Sequence, residues 1–271
     1  MITLLLILAA ALHAPQARHP VRWTRAVGPH SRLALEAKLK RPVKLPRGQE
    51  IYEHSDRHRQ IRTCADYARA MKNGWRNNAN TFEMTMAASF KDQCDVPLLV
   101  LAAKPSRVSY VQNFKLDEAA LDLLPPTLSF TPVGELEEAA DAAERQGLSW
   151  KKFKPGLKLL KKGANWMVVE EPGESRIELE IKAFGDFNGD GSEDVLLFKS
   201  TNVIEGTFSS YYPVMLTRIA ANGPLKASEV EDPYMEMKLV NGAWQWVRKT
   251  QTKVSQTEPK KGTKAHRPNE K

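Results

Sequence analysis

No histidine stands between His58 and His266. Ser/His and Cys/His hydrolases draw their general base from imidazole, so the missing histidine argues against such a mechanism in that central stretch. The chain also lacks a G-x-S-x-G turn, a phosphate-binding P-loop and a glycine-rich dinucleotide fingerprint. Cysteine is nearly absent. Cys64 and Cys94 are the only two, and neither sits in a C-x-x-C pair, which argues against a structural zinc site of four ligands. No self-similarity recurs at a spacing of about 20–50 residues, so solenoid and propeller architectures are not indicated. His54 and His58 stand four apart, but no Glu follows the first His as a zinc-protease helix requires. They read as part of an exposed polar stretch.

Long apolar runs are missing too. The longest, Met1–Ala14, falls short of the roughly 20 residues that cross a bilayer. It fits the apolar region of a secretory signal peptide with small residues behind it. It departs from that pattern in having no Lys or Arg ahead of the run, and in Leu12 or Pro15 at the −3 position of cleavage after Ala14 or Ala17. A buried N-terminal helix is the plainer alternative. The expectation is a signal peptide over 1–17 and an exported, periplasmic or extracellular mature chain with no membrane span. In an oxidising compartment two cysteines argue for a Cys64–Cys94 disulfide; two buried free thiols are the alternative.

The net charge of +8 is unevenly spread: residues 18–62 carry +8, residues 249–271 carry +5, and 63–248 carry −5. The segments 18–60 and 249–271 have few periodic apolar positions, a composition that reads as basic and poorly ordered. Such arms are solvated tails, or they touch an anionic envelope component. No specific nucleic acid is expected of an exported chain.

Between the arms the periodicity changes once. Over 61–156 it is helical: Tyr67, Ala68 and Met71 share a face, Phe82–Ala102 is a second stretch with a break expected at Pro97, and Asp117 caps a short helix that Pro125-Pro126 ends. Leu136, Ala140 and Ala143 form the apolar stripe of an acidic helix ending at Gly147. Over 157–248 it is antiparallel β, with strands at Trp166–Glu170, Ile177–Phe184, Val195–Lys199, Tyr211–Arg218, Met235–Leu239 and Trp244–Val247, and a hairpin turn at Asn241-Gly242. Trp244 and Trp246 share one strand face, where an exposed pair would stack on a carbohydrate and a buried pair would be core. The fold class is α+β.

The chemistry concentrates in Asp186-Phe-Asn188-Gly-Asp190-Gly-Ser192-Glu-Asp194. Oxygen side chains stand at alternate positions, and glycines at the fourth and sixth let the backbone curl. Calcium takes six to eight oxygens from carboxylates, amides and backbone carbonyls. Asp186, Asp190 and Asp194 offer carboxylates, Asn188 an amide oxygen and Ser192 its backbone carbonyl. Leu197 at position 12 and strand-like flanks exclude an EF-hand, which closes with an acid there and lies between helices. A turn that binds nothing is the alternative, because the same residue types favour turns for local reasons. Over about residues 177–200 the pattern resembles the calcium loop of FG-GAP (VCBS-like, integrin-type) repeats, in which an Asp at position 9 closes the site, as Asp194 would here. That family normally carries several copies as propeller blades. This chain has one, so the resemblance implies a Ca²⁺ site and not a propeller.

The combined reading is an exported, non-enzymatic α+β protein with one structural calcium site and a binding or envelope-associated role. A carboxylate-based hydrolase of envelope polysaccharide or peptidoglycan is one alternative. An intracellular protein holding an anionic polymer by its basic arms is another.

Overall fold

The computed structural model describes residues 18–43, 49–52, 58–73, 75–77, 89–131, 134–230, 235–240 and 243–248. The expected signal peptide, His54, the start of the helical stretch at Phe82, the Asn241-Gly242 turn and the tail from 249 lie outside them. Among the described residues no helix is long and apolar enough to cross a membrane.

The fold is α+β, with helices mostly in the first half and an antiparallel sheet in the second. The sheet is a meander of β5 (Lys158–Lys162), β6 (Trp166–Glu171), β7 (Ser175–Gly185), β8 (Asp194–Val203), β9 (Ser209–Thr217) and β10 (Lys226–Glu229), each strand beside the next. The long central strands follow from their residues. On β7, Ile177, Leu179 and Ile181 are buried while Arg176 and Glu178 face water, the two-residue alternation of a sheet with one covered face. Gly173, at φ +74°, turns the chain between β6 and β7.

β7 changes partner along its length. It pairs with β6 up to Glu180, and its last residues pair with β1 (Arg22–Trp23) through Trp23↔Ala183 and Arg22↔Phe184. The β7–β8 register shifts at the junction, between Ile181 and Ala183. A bulge there re-aims the intervening side chain. That side chain is Lys182, which is buried, with its amine 2.7 Å from both Asp92 and Glu180.

The N-terminal segment is therefore not the poorly ordered arm its composition suggested. Over 18–43 it forms β1 and α1 (Arg32–Leu39), capped by the Ser31 hydroxyl, and buries Val27, Leu35 and Leu39. Three apolar residues, rather than a dense periodic pattern, suffice because the sheet supplies the rest of the core. A small sheet of β2 (Gln49–Tyr52), β3 (His58–Ile61) and β4 (Arg76–Asn77) follows, where only helix was expected past residue 61. These strands are too short to show a period.

α2 (Cys64–Lys72) is capped by Thr63 and bonded through the Cys64–Cys94 disulfide to the next helix. That helix does not break at Pro97. A π-helical turn, Lys91–Asp95, runs straight into α3 (Val96–Ala102), whose first turn contains the proline. Proline has no N–H to give to the preceding turn, and the wider turn accommodates this without ending the helix. Asp117 caps a 3₁₀ turn, Glu118–Asp122, and a second turn, Pro126–Leu128, follows. α4 (Glu135–Arg145) buries Ala140 and Ala143, but Leu136 is 47% exposed. The expected stripe is one residue narrower because Leu136 sits in the first turn, beyond the edge of the core. Gly147, at φ +72°, follows α4 as expected. α5 (Trp150–Phe153) buries Trp150.

Helices and sheet share two of the three cores. In one, Leu121, Leu124, Leu128 and Trp150 pack on Leu179, Ile181 and Leu197. In the second, Val27, Leu35, Val96 and Val100 pack on Ala183, Leu196 and Phe198. The third surrounds the disulfide with Ile61, Tyr67 and Phe90. β11 (Met235–Val240) and β12 (Ala243–Arg248) pair with Val240 opposite Ala243, and Trp244 and Trp246 stand in β12.

Candidate metal centre

The acidic run is the connection between β7 and β8, its first and last acids lying next to Gly185 and at the start of β8. Gly189 and Gly191, at φ +86° and +88°, occupy the left-handed region that other residues enter only at a cost. The loop is strapped from outside by residues 104–108. Lys104 and Asp186 exchange backbone hydrogen bonds at 3.0 and 2.9 Å, Arg107 N donates to the Gly191 carbonyl at 2.7 Å, and Glu193 N donates to the Val108 carbonyl at 2.8 Å. The Arg107 guanidinium lies across Gly191, where a Cβ would collide with Nε, and donates to the Asp190 carbonyl at 3.2 Å.

The oxygen side chains face the loop's own amides. Asp186 accepts from Gly189 N at 2.6 Å and Gly191 N at 3.0 Å. Asn188 Oδ1 accepts from Asp190 N at 2.9 Å, and Asp190 Oδ1 from Ser192 N at 2.6 Å. Asp194 Oδ2 accepts from Phe187 N at 3.0 Å, and Oδ1 from the Thr217 hydroxyl at 2.6 Å. Asp186 and Asp194 are buried, whereas Asn188 and Asp190 are exposed. Burial pushes the Asp194 carboxyl up to about 6; the bonds from Thr217 and Phe187 oppose that shift, and the charges of Asp190 and Asp186 add to it.

The loop thus gathers five oxygen-bearing residues around one curl of backbone, but the acids do not converge on a common point. Among the described residues no group of three His, Cys, Asp or Glu side chains is placed to hold a metal ion. The donor chemistry suits a hard cation. An ionised carboxylate has about four lone-pair positions, so amide bonds leave capacity for an ion once the side chains turn toward one centre.

Sequence reasoning did not find the residues that brace the loop. Glu193 is fully buried and bonds to Arg22 at 3.2 Å and to the Ser109 hydroxyl at 2.5 Å. Arg22 also lies over the Phe184 ring at 4.0 Å. A buried acid between two ligand positions carries no local mark in the sequence. The only hint is that Glu193 interrupts the alternation of oxygen ligands with an acid on the wrong parity.

A second acidic location is the cleft of about 330 Å³ where Glu137 and Asp141 face Lys199 and Tyr212. Both acids come from one side of α4, a turn apart. A glycosidase needs its carboxyls on opposite sides of the scissile bond, and these two line the same wall.

No family model matches the chain, and no curated protein or solved structure matches it.

Proposed function

We propose that the protein is exported and non-enzymatic, and that one structural calcium ion on the Asp186–Asp194 loop stiffens its sheet for a binding or envelope-associated role. The observation that carries this reading is a pre-curled loop that sets the oxygens of Asp186, Asn188, Asp190 and Asp194 at alternate positions around Gly189 and Gly191, both at positive φ. Burial is the main cause that raises the Asp194 carboxyl, and the charges of Asp190 and Asp186 add least to it. A divalent cation would offset that cost. The side-chain oxygens of Asp186, Asn188, Asp190 and Asp194, with the Ser192 carbonyl, would hold it. When bound, the ion supplies charge neutralisation and order.

Because binding must turn carboxylates away from amides, the expected affinity is modest, on the order of 10⁻⁴–10⁻³ M. At tenfold excess over Kd the ion adds about 1.4 kcal/mol, a rise of roughly 3–5 °C in Tm. Calorimetric titration with CaCl₂, and melting with CaCl₂ or EGTA, test this. Asp190→Ala should abolish both signals. Absence of binding heat together with an identical Tm at about 10 mM calcium, tenfold above the weaker Kd, refutes the site. The Cys64–Cys94 bridge supports an oxidising compartment. N-terminal sequencing of the processed chain tests export independently. The hydrolase alternative has less support, since Glu137 and Asp141 share one wall of their cleft.

A further inference from the structure

The edge of the sheet opposite β10 has a charge pattern that the calcium reading does not use. β5 is the last strand of the meander, and no described strand pairs with its outer side. The segment Lys151–Lys162 runs from α5 through β5 and contains six lysines, no arginine and no acid. Residues 63–248 as a whole carry −5, so these lysines gather against the sign of their surroundings.

The six are not equivalent. Lys151 pairs with Asp122 at 3.4 Å, and Lys154 with Glu174 at 2.6 Å. Lys152, Lys158, Lys161 and Lys162 are exposed and have no ion-pair partner among the described residues. Lys158 stands opposite Glu170 across the β5–β6 ladder, but that carboxylate is held by Arg176 at 2.8 Å. The three strand lysines fall within about 13 Å of one another, so one surface can meet all of them. Among them lies Leu160. The β5–β6 register shifts between Leu159 and Lys161, an irregularity of the kind that re-aims a side chain, and Leu160 is 42% exposed. Lysines on an edge strand also discourage pairing with another chain. That role does not account for Leu160, because a guarded edge gains nothing from an exposed leucine. It does not account for Lys152 either, which lies outside the strand.

We infer that the β5 edge docks on an anionic phospholipid surface. The four ammonium groups would face the phosphates, and Leu160 would enter the boundary between headgroups and acyl chains. A compact ammonium on a flexible stem suits a fluid array of phosphates, whereas the fixed fork of arginine suits one oriented anion. The inference names the partner of the envelope-associated role proposed above and rests on that role, not on the calcium site. Binding is therefore measured in EGTA, where failure of the calcium site changes nothing.

The probes are vesicles of phosphatidylcholine alone and vesicles containing about one third phosphatidylglycerol, sedimented with the full chain at about 0.1 M salt. Each lysine at such a surface is worth about fivefold in affinity. The mixed vesicles should therefore bind at least about a hundredfold more tightly than the neutral ones. Lys158→Gln, Lys161→Gln and Lys162→Gln together should remove about a hundredfold. The same change at Lys260, Lys261 and Lys264 in the basic tail should remove far less. Leu160→Ser leaves the charge unchanged and should weaken vesicle binding roughly three- to fivefold, while heparin, a soluble polyanion, binds as before. Equal binding to the two vesicles would overturn the inference, as would a β5 triple variant that binds like the parent. A tail variant that loses as much would reduce the effect to total charge and overturn it too. Leu160→Ser without effect would mark a soluble polyanion, not a lipid surface, as the partner. All the β5 changes are at exposed positions; if the triple variant melts lower than the parent, the single Lys161→Gln, with its fivefold loss, decides the matter.

Discussion

Replacing Glu171 should unfold more of this protein than any single change in the acidic loop. Its side chain is 1% exposed at the end of β6, and four donors converge on it. Oε1 accepts from the Ser129 hydroxyl and from Trp150 Nε1 at 2.9 Å; Oε2 accepts from Phe130 N at 3.1 Å and the Ser175 hydroxyl at 3.0 Å. All the lone pairs of the carboxylate are in use. Glu171→Ala leaves the indole and backbone N–H groups without an acceptor, at about 1–3 kcal/mol each, whereas the two serine hydroxyls can rotate. The vacated volume beside Trp150 adds a cavity cost. The expected loss is on the order of 3–6 kcal/mol, against a total of about 5–15 kcal/mol for a domain. Glu171→Gln keeps the shape and one acceptor oxygen but turns an NH₂ toward two of the donors, and should lose roughly 2–4 kcal/mol. Urea unfolding followed by tryptophan fluorescence reads the effect directly, since Trp150 is fully buried. If both variants stay within about 1 kcal/mol of the parent, the side chain is not the hub that its four contacts imply.

Three further outcomes are expected, besides calcium binding. The Asp194 carboxyl is raised from 3.8 to about 6 in the folded chain, so the unfolded chain gives up its proton first. Its contribution is intact below about pH 4 and is lost as pH climbs through 6, by at most about 3 kcal/mol. Melting in EGTA at pH 4–7 should show Asp194→Asn lacking that downward slope, and equal slopes would disprove the assignment. Gly191→Ala forces a Cβ into φ +88° and against Arg107. It should cost about 1–3 kcal/mol, read as a lower urea midpoint, and a neutral result would mean that the strap gives way freely. Reducing Cys64–Cys94, which closes a separation of 30 residues, should remove about 3–4 kcal/mol. Because helices and sheet share cores, far-UV and tryptophan signals should fall together; two separated transitions would show independent units.

The alternation of Ile177, Leu179 and Ile181, and the switch from helical to strand period near residue 157, make the fold class legible in the sequence itself. The disulfide is legible for a simpler reason: with two cysteines only one bridge is possible. What stayed hidden is long-range. Val27 and Leu35 look like a sparse apolar scatter until β1 joins β7, because periodicity reports one element's buried face and not the neighbour that covers it. Lys199 reads as the polar end of an apolar strand, and only its cross-strand partner Tyr212 makes it part of a cleft. At the loop, residue types announced oxygen donors and a tight curl, and both are present. Whether carboxylates face an ion or the backbone depends on rotamers, on which spacing is silent. Arg107, Glu193 and Arg22 had no local signature, since each acts on a residue more than 80 positions away.

The bracing of Glu193 beneath the β7–β8 loop has a bearing on how the chain is made. Arg22 must wait for Glu193, 171 residues later, and Ser109 must wait 84 residues for the same partner. At about 5–20 residues per second, the first delay lasts on the order of ten to thirty seconds of synthesis. Throughout that interval β1 has no strand to join, and Val27, Leu35 and Val100 have no sheet to cover them. The packing of β1 and of Val27 and Leu35 against the sheet therefore comes only after the central hairpin has been made, whereas the core around Cys64–Cys94 needs no residue of β5–β10.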